Sequence, residues 1–161
     1  MNNRKLVTMA LFITAAMMLS YIESLFPFFF GVPGMKLGLA NLAAVFALCR
    51  MGVRDAAVIS LVRVVLVSIT FGNAYSFAYS FAGAALSLAV MALLKKTGKF
   101  SVLGVSIAGG VSHNVGQVLV AMAVLGTARL AWYLPALLVS GTAAGAAIGA
   151  AAGIVASRVK A

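Results

Sequence analysis

Long apolar stretches, separated by short breaks that contain glycine, proline or charge, dominate the chain. Six of them predict helices, at about residues 5–25, 35–50, 54–71, 75–94, 101–125 and 131–156. A helix needs about 20 apolar residues to cross the hydrocarbon core of a bilayer, and the second and third segments are the shorter ones. The pattern therefore predicts an all-α membrane protein, a six-transmembrane-helix bundle that forms a single domain over residues 1–161.

Composition agrees with this reading. The 161 residues are 64% hydrophobic and 9% charged, and the mean hydropathy is +1.14. Such a chain lacks the polar residues that cover a soluble domain. The apolar segments use nearly the whole length, so we expect no separate catalytic domain.

Positive charges predict the orientation, because Lys and Arg are retained in cytoplasmic loops and flanks. Nine of them fall at alternate ends of the six segments, and these are Arg4, Lys5, Arg50, Arg54, Lys95, Lys96, Lys99, Arg158 and Lys160. Only Lys36 and Arg129 fall at the opposite ends. We therefore expect both termini in the cytoplasm and a multi-pass protein in the cell membrane. The cations are dispersed and form no basic face, which argues against nucleic acid as a partner.

Several polar residues lie within or beside apolar sequence, where burial costs several kcal/mol (about 2–7) unless partners or water are supplied. With the orientation above, most are predicted at mid-depth or in the outer half of the membrane. We expect them to line one outward-facing pocket for a small molecule. The candidate substrate-binding residues are Glu23, Lys36, Asn41, Arg63, Asn73, His113, Asn114 and Gln117.

Arg63 is the most costly of these residues, because its guanidinium stays charged at any accessible pH. It requires an anion. The acids of the chain are Glu23 and Asp55, and Asp55 is predicted in the cytoplasmic loop. Two interpretations stay open at this point: a structural pair with Glu23, or direct binding of a ligand carboxylate or phosphate.

His113 and Gln117 are four residues apart and share one helix face, while Asn114 is turned by about 100°. A lone histidine here is typical of an interhelical hydrogen bond. The neighbouring amides favour a ligand pocket instead. One histidine and one cysteine, Cys49, with two acids in all, do not suit a metal site, and we expect no metal and no cofactor.

The last apolar segment has a glycine at every fourth position, at Gly141, Gly145, Gly149 and Gly153. Small residues at this spacing let membrane helices approach closely. The pattern predicts a packing face, for a helix of this chain or for a partner protein.

The first segment also carries small residues towards its cytoplasmic half, among them Ala10, Thr14 and Ala15. We expect this face of the first helix to be a docking surface for a second protein.

Four features together resemble a known family. They are Ile22-Glu23 at the end of the first segment, the stretch GMKLGLAN from Gly34, Arg63 with Gly72 downstream, and HNVGQ from His113. The chain resembles heptaprenyl diphosphate synthase component I, also called the Gx transporter family, which is similar to the substrate-binding S components of energy-coupling factor (ECF) transporters. That resemblance implies six helices, an outward pocket, and a first helix that docks on a transmembrane coupling subunit with ATPases. The chain departs from the usual Ala-x-x-x-Ala pair of that helix, since Thr14 follows Ala10.

The synthase name can be tested against chemistry. Prenyl diphosphate synthases hold magnesium through clustered aspartates, and this chain has one aspartate. It also lacks a phosphate-binding loop of the Gly-x-x-x-x-Gly-Lys-Ser/Thr type. We expect no enzymatic activity.

The leading hypothesis is a substrate-binding membrane subunit, similar to an ECF S component, for uptake of a small anionic or amphipathic compound. Its expected partners are that ligand, the lipid bilayer and a coupling subunit with ATPases. The alternative is a non-catalytic membrane partner in a complex for quinone or prenyl chemistry, or for flavin electron transfer.

Overall fold

Over the residues that the structure describes, the protein is a bundle of six α-helices. The computed structural model describes residues 3–25 and 40–158, with side chains as far as Ile154. The helices are α1 (Asn3–Leu25), α2 (Asn41–Arg50), α3 (Val53–Thr70), α4 (Ala74–Thr97), α5 (Val102–Leu125) and α6 (Leu134–Arg158), with a 3₁₀-helix (Ala128–Tyr133) before α6. The predicted all-helical fold and the number of helices are confirmed.

Four helical stretches of the described chain are long and apolar enough to cross a membrane. They are α1, α4, α5 and the continuous stretch Ala128–Ile154. Their side chains include many exposed leucines, valines and aromatics, such as Leu11 at 65% and Val139 at 72% exposure. Large apolar side chains on the outside of a bundle are stable where lipid surrounds them, so this is a membrane-embedded protein.

Local signals set the ends of α4 and α5. The Asn73 side chain accepts a hydrogen bond from the Ser76 backbone N–H at 2.8 Å and so caps α4. Ser101 caps α5 in the same way through the Gly104 N–H, at 3.2 Å. Both helices end at glycines in the left-handed region, with φ of 68° at Gly98 and 64° at Gly126.

The short helix α2 lies at the centre of the bundle and contacts each of the other five α-helices. Its residues from Ala43 to Leu48 are all buried. A helix that is apolar all round belongs in such a position. The hydrophobic core forms around it, with Ala16 of α1, Ile59 of α3 and Met91 of α4.

The helices α5 and α6 pack with their backbones close together. A Cβ on Gly145 would lie 2.7 Å from the Ile107 Cα, and a Cβ on Gly141 would lie 2.9 Å from the Gly110 carbonyl oxygen. Gly149 faces α5 as well, whereas a Cβ on Gly153 would meet nothing within 4 Å. Three glycines of the predicted packing face therefore lie against a helix of this chain.

The predicted segments match the observed helices with three differences. The second was predicted over 35–50, and α2 is described from Asn41, with residues 35–39 outside the described part. The last was predicted from residue 131, but a 3₁₀ turn precedes α6, which has Pro135 in its first turn, where a missing N–H costs nothing. Asp55 lies in the first turn of α3 and not in the loop.

The first helix packs at the edge of the bundle, and among the described helices it contacts α2 and α3. Lys5 pairs with Asp55 at 2.8 Å and joins α1 to the start of α3. The small residues Ala10, Thr14 and Ala15 are exposed, with the Thr14 hydroxyl donating to the Ala10 carbonyl at 3.0 Å. No helix in the described part of the chain covers this face.

Candidate functional site

A group of buried polar side chains lies where α1, α3 and α5 face the interior. Arg63 is 6% exposed, His113 is 3% exposed and Gln117 is 1% exposed. Ser20 and Glu23, one turn apart on α1, are buried as well. We call these five residues the polar cluster. Such groups are rare inside a membrane protein and generally mark a functional site or a necessary interhelical bond.

Arg63 is the centre of the polar cluster. Its Nη1 donates to the Ser20 hydroxyl at 3.5 Å, the limit for a hydrogen bond. The charge of Glu23 also acts on the guanidinium. A guanidinium has five N–H donors, and among the described residues Ser20 accepts one of them. Arg63 is therefore a buried cation that interacts with Ser20 and with the charge of Glu23.

His113 and Gln117 form a pair on α5, with the His113 Nε2 and the Gln117 Nε2 separated by 2.8 Å. With the Gln117 amide nitrogen as donor, the His113 Nε2 is the acceptor of this hydrogen bond. The charge of Arg63 acts on this imidazole. The Gln117 Oε1 is buried and accepts no hydrogen bond from the described part of the chain.

The His113 ring lies directly against α4 at Gly83. A Cβ on Gly83 would be 2.9 Å from the ring atoms Cε1 and Nδ1 and also 2.9 Å from the His113 backbone oxygen. Real Cβ atoms do not approach other atoms so closely. Glycine at this position therefore sets how the imidazole is held, and the sequence reading did not identify it.

Asn114 is buried on a different side of α5 from His113. Its Nδ2 donates to the Leu137 carbonyl of α6 at 2.7 Å and lies 3.5 Å from the Ser140 hydroxyl. Adjacent helical residues point about 100° apart, which is why the two side chains separate. Asn114 joins α5 to α6 and does not contact the polar cluster.

Asn41 begins α2 and donates to the Ser87 hydroxyl of α4 at 3.1 Å. Asn41 precedes Arg50, the last residue of α2, by nine residues. Arg63 follows Val53, the first residue of α3, by ten residues, and a tight turn joins the two helices. At about 1.5 Å per residue, Asn41 and Arg63 are at nearly the same depth. The N-terminus of a helix carries a partial positive charge, so α2 adds to the positive field near Arg63.

The last two candidates lie elsewhere. Asn73 is exposed and caps α4, and it borders an open depression of about 410 Å³ with Ser68 and Phe77. Lys36 lies outside the described residues.

The buried serines of α4 were also missed. Ser76, Ser80 and Ser87 are buried on one face, together with Gly83. Their spacing of four and seven residues is the helical repeat, and it is readable in the sequence. A small hydroxyl in a transmembrane helix commonly bonds to its own backbone, so the pattern alone carries little information.

The arrangement combines a buried cation, a neighbouring imidazole and a free amide oxygen. It suits recognition of an organic anion that also carries a hydrogen-bond donor. Among the described residues, no three His, Cys, Asp or Glu side chains come together as metal ligands do.

A family model described as heptaprenyl diphosphate synthase component I matches residues 12–155. The resemblance to this family, inferred from the sequence, is confirmed. Comparisons with curated proteins and with solved structures give no match.

Proposed function

The chain belongs to the heptaprenyl diphosphate synthase component I family, and we propose that it is a substrate-binding membrane subunit. In this proposal it takes up a small anionic or amphipathic compound from outside the cell. The site is the polar cluster of Ser20, Glu23, Arg63, His113 and Gln117. The role is non-catalytic, and binding is followed by transfer to other subunits.

The buried guanidinium of Arg63 carries the proposal. It is 6% exposed and makes one hydrogen bond of 3.5 Å within the described chain. A structural arginine of this depth is expected to be enclosed by several good acceptors, because an uncompensated buried charge is strongly destabilising. A buried arginine inside a membrane protein is by default a candidate for binding an anionic group, which supports the proposal.

The proposed topology has all six helices in the membrane and both termini in the cytoplasm. The positive charges described above support it through the retention of Lys and Arg on the cytoplasmic side. The polar cluster then opens away from the cytoplasm, with Lys36 and Asn41 contributing to its wall. Transport requires energy from a coupling subunit with ATPases, as for ECF S components, and the exposed small residues of α1 are the proposed contact with it.

A second candidate function follows from the description of the family, which names a component of a prenyl diphosphate synthase. Here the chain is a non-catalytic membrane partner of a separate synthase. It binds the same class of ligand, an organic anion with a hydrocarbon chain. The two functions differ in what leaves the site: an imported compound in the first, a prenyl product in the second.

Native mass spectrometry of the purified protein tests the leading proposal. We expect a co-purified small molecule, bound one to one and released as an anion under collisional activation. The synthase alternative is tested by mixing the protein with a prenyl diphosphate synthase and measuring product formation. If the purified protein carries no small molecule and changes the rate of the synthase, the synthase alternative becomes the better-supported function.

A further inference from the structure

An apolar groove runs between α3 and α4 on the outside of the bundle. One part of it is a crevice of about 210 Å³, with Ala57 and Leu61 of α3 and Ala85 of α4 in its walls. The other part is an open depression of about 620 Å³ near the end of α4. Leu61 and Leu93, which line the two parts, are exposed. In a membrane-embedded protein such a surface faces lipid.

The crevice and the depression are continuous along both helices. On α4, Ala85 of the crevice lies four residues before Ala89 of the depression. On α3, Val53 of the depression lies four residues before Ala57 of the crevice. Residues four apart stack on one face of a helix, so each wall of the crevice continues into the depression.

The groove has the length of one membrane leaflet. Phe81 lines the crevice and Lys96 lines the depression, and they are 15 residues apart on α4. At about 1.5 Å per residue this is about 22 Å. Half of the hydrocarbon core of a bilayer is about 15 Å, and the rest reaches into the headgroup region. The groove therefore fits an acyl chain that extends inwards from a headgroup beside Lys96.

Two lysines, Lys95 and Lys96, line the depression at the end of this groove. The Lys95 Nζ donates to the carbonyls of Leu48 and Cys49 at the end of α2, which fixes its position. An ammonium group has three donors, so one of them stays available. Lys96 is exposed and makes no hydrogen bond or ion pair with the residues that the structure describes. The groove is thus apolar along its length and cationic at one end.

The charges of this end of the bundle favour an anion. Asp55 is the one acid at this end of the described chain, and it pairs with Lys5 of α1 at 2.8 Å. The cations of the same end among the described residues are Arg4, Lys5, Arg50, Arg54, Lys95, Lys96 and Lys99. Basic pockets between transmembrane helices attract the headgroups of anionic lipids.

We propose that the groove between α3 and α4 holds one anionic phospholipid, whose headgroup phosphate binds Lys96 and Lys95 and whose acyl chain lies along the two helices. A free anion would use the lysines and leave the apolar walls uncovered. An apolar helix of another protein would cover the walls and leave the ammonium groups without a counter-ion. The site is separate from the polar cluster, and the inference does not depend on the proposed function.

Native mass spectrometry of the full chain in a neutral detergent, titrated with phosphatidylglycerol, measures the affinity for the first lipid bound. Phosphatidylcholine with the same acyl chains tests the charge of the headgroup. Glycerophosphoglycerol, the headgroup without acyl chains, tests the apolar walls. The added lipid has a known mass, so it is distinguished from any ligand of the polar cluster.

Two variants, each with a matched control, test the two ends of the site. Lys96→Gln removes the charge that has no partner, and Lys99→Gln removes a charge beyond the end of α4 that does not line the groove. Ala85→Leu fills the crevice from its exposed side. Ala147→Leu is its control, because Ala147 is exposed on α6, which contacts neither α3 nor α4.

Phosphatidylglycerol is expected to bind at least fivefold more tightly than phosphatidylcholine, and glycerophosphoglycerol is expected not to compete at equal concentration. Lys96→Gln is expected to weaken lipid binding about fivefold, which corresponds to about 1 kcal/mol for one lysine. Ala85→Leu is expected to weaken it about fourfold, which corresponds to one displaced methylene group. Both controls are expected to change it less than twofold.

Equal affinity for the two lipids, or competition by glycerophosphoglycerol, overturns the inference. So does equal lipid binding by Lys96→Gln and Lys99→Gln, or by Ala85→Leu and Ala147→Leu. A lipid-free dimer that Ala85→Leu dissociates also overturns it, because a second copy of the chain would then cover the groove.

Discussion

At the scale of single residues, Gly83 determines how the His113 ring packs between α4 and α5. Ring atoms and the backbone oxygen of His113 both lie 2.9 Å from the position that a Cβ on this glycine would take. The imidazole in turn bonds to Gln117, and the charge of Arg63 acts on it. A single methyl group is thus expected to disturb the polar cluster without changing any polar atom.

Gly83→Ala is expected to destabilise the protein by about 1–3 kcal/mol, the usual cost of overpacking, and to weaken ligand binding. Thermal unfolding in detergent and native mass spectrometry measure the two effects. Gly104→Ala is the control, because its Cβ would meet its nearest neighbour at an ordinary 3.7 Å. Similar melting temperatures for the two variants would mean that the ring has room to move.

At the scale of helices, most boundaries were predictable because each has a local signal. Asn73 and Ser101 are good caps, and Gly98 and Gly126 adopt the left-handed conformation that ends a helix. The partners of each helix face were not predictable. His113 and Asn114 are adjacent and were assigned to one pocket, yet one side chain faces α4 and the other faces α6, because that choice depends on the packing of the whole bundle.

The glycine face of α6 permits a prediction at this scale. Gly145→Ala brings a Cβ to 2.7 Å from the Ile107 Cα, so α5 and α6 must separate. We expect a loss of about 1–3 kcal/mol in the free energy of unfolding. In Gly153→Ala the new Cβ meets nothing within 4 Å, and the change is expected to be neutral or stabilising by up to about 1 kcal/mol. If Gly145→Ala lowers the free energy of unfolding no more than Gly153→Ala does, the close contact of these backbones is not needed for folding.

At the scale of the whole molecule, hydropathy predicts that the protein lies in a membrane. The distribution of Lys and Arg predicts its orientation. Six helices and a membrane-embedded bundle follow from sequence periodicity. The central position of α2 does not, since its ten residues are too few to reveal that they contact every other α-helix.

The topology is testable by cysteine labelling in a Cys49→Ala background. A cysteine at Thr127, between α5 and the 3₁₀-helix, is expected to react with a membrane-impermeant maleimide in intact cells. A cysteine at Lys99, between α4 and α5, is expected to react only after permeabilisation. The reverse pattern would invert the orientation and turn the polar cluster towards the cytoplasm.

The central claim is that Arg63 binds the ligand, and the amount of small molecule bound per folded protein tests it most directly. Native mass spectrometry of the wild type, Arg63→Ala and Arg129→Ala supplies this number. Loss of a charge-assisted hydrogen bond worth about 1.5–3 kcal/mol predicts roughly 10- to 150-fold weaker binding for Arg63→Ala. Arg129→Ala, in the 3₁₀-helix, is expected to retain the ligand. Equal occupancy in the two variants would contradict the account.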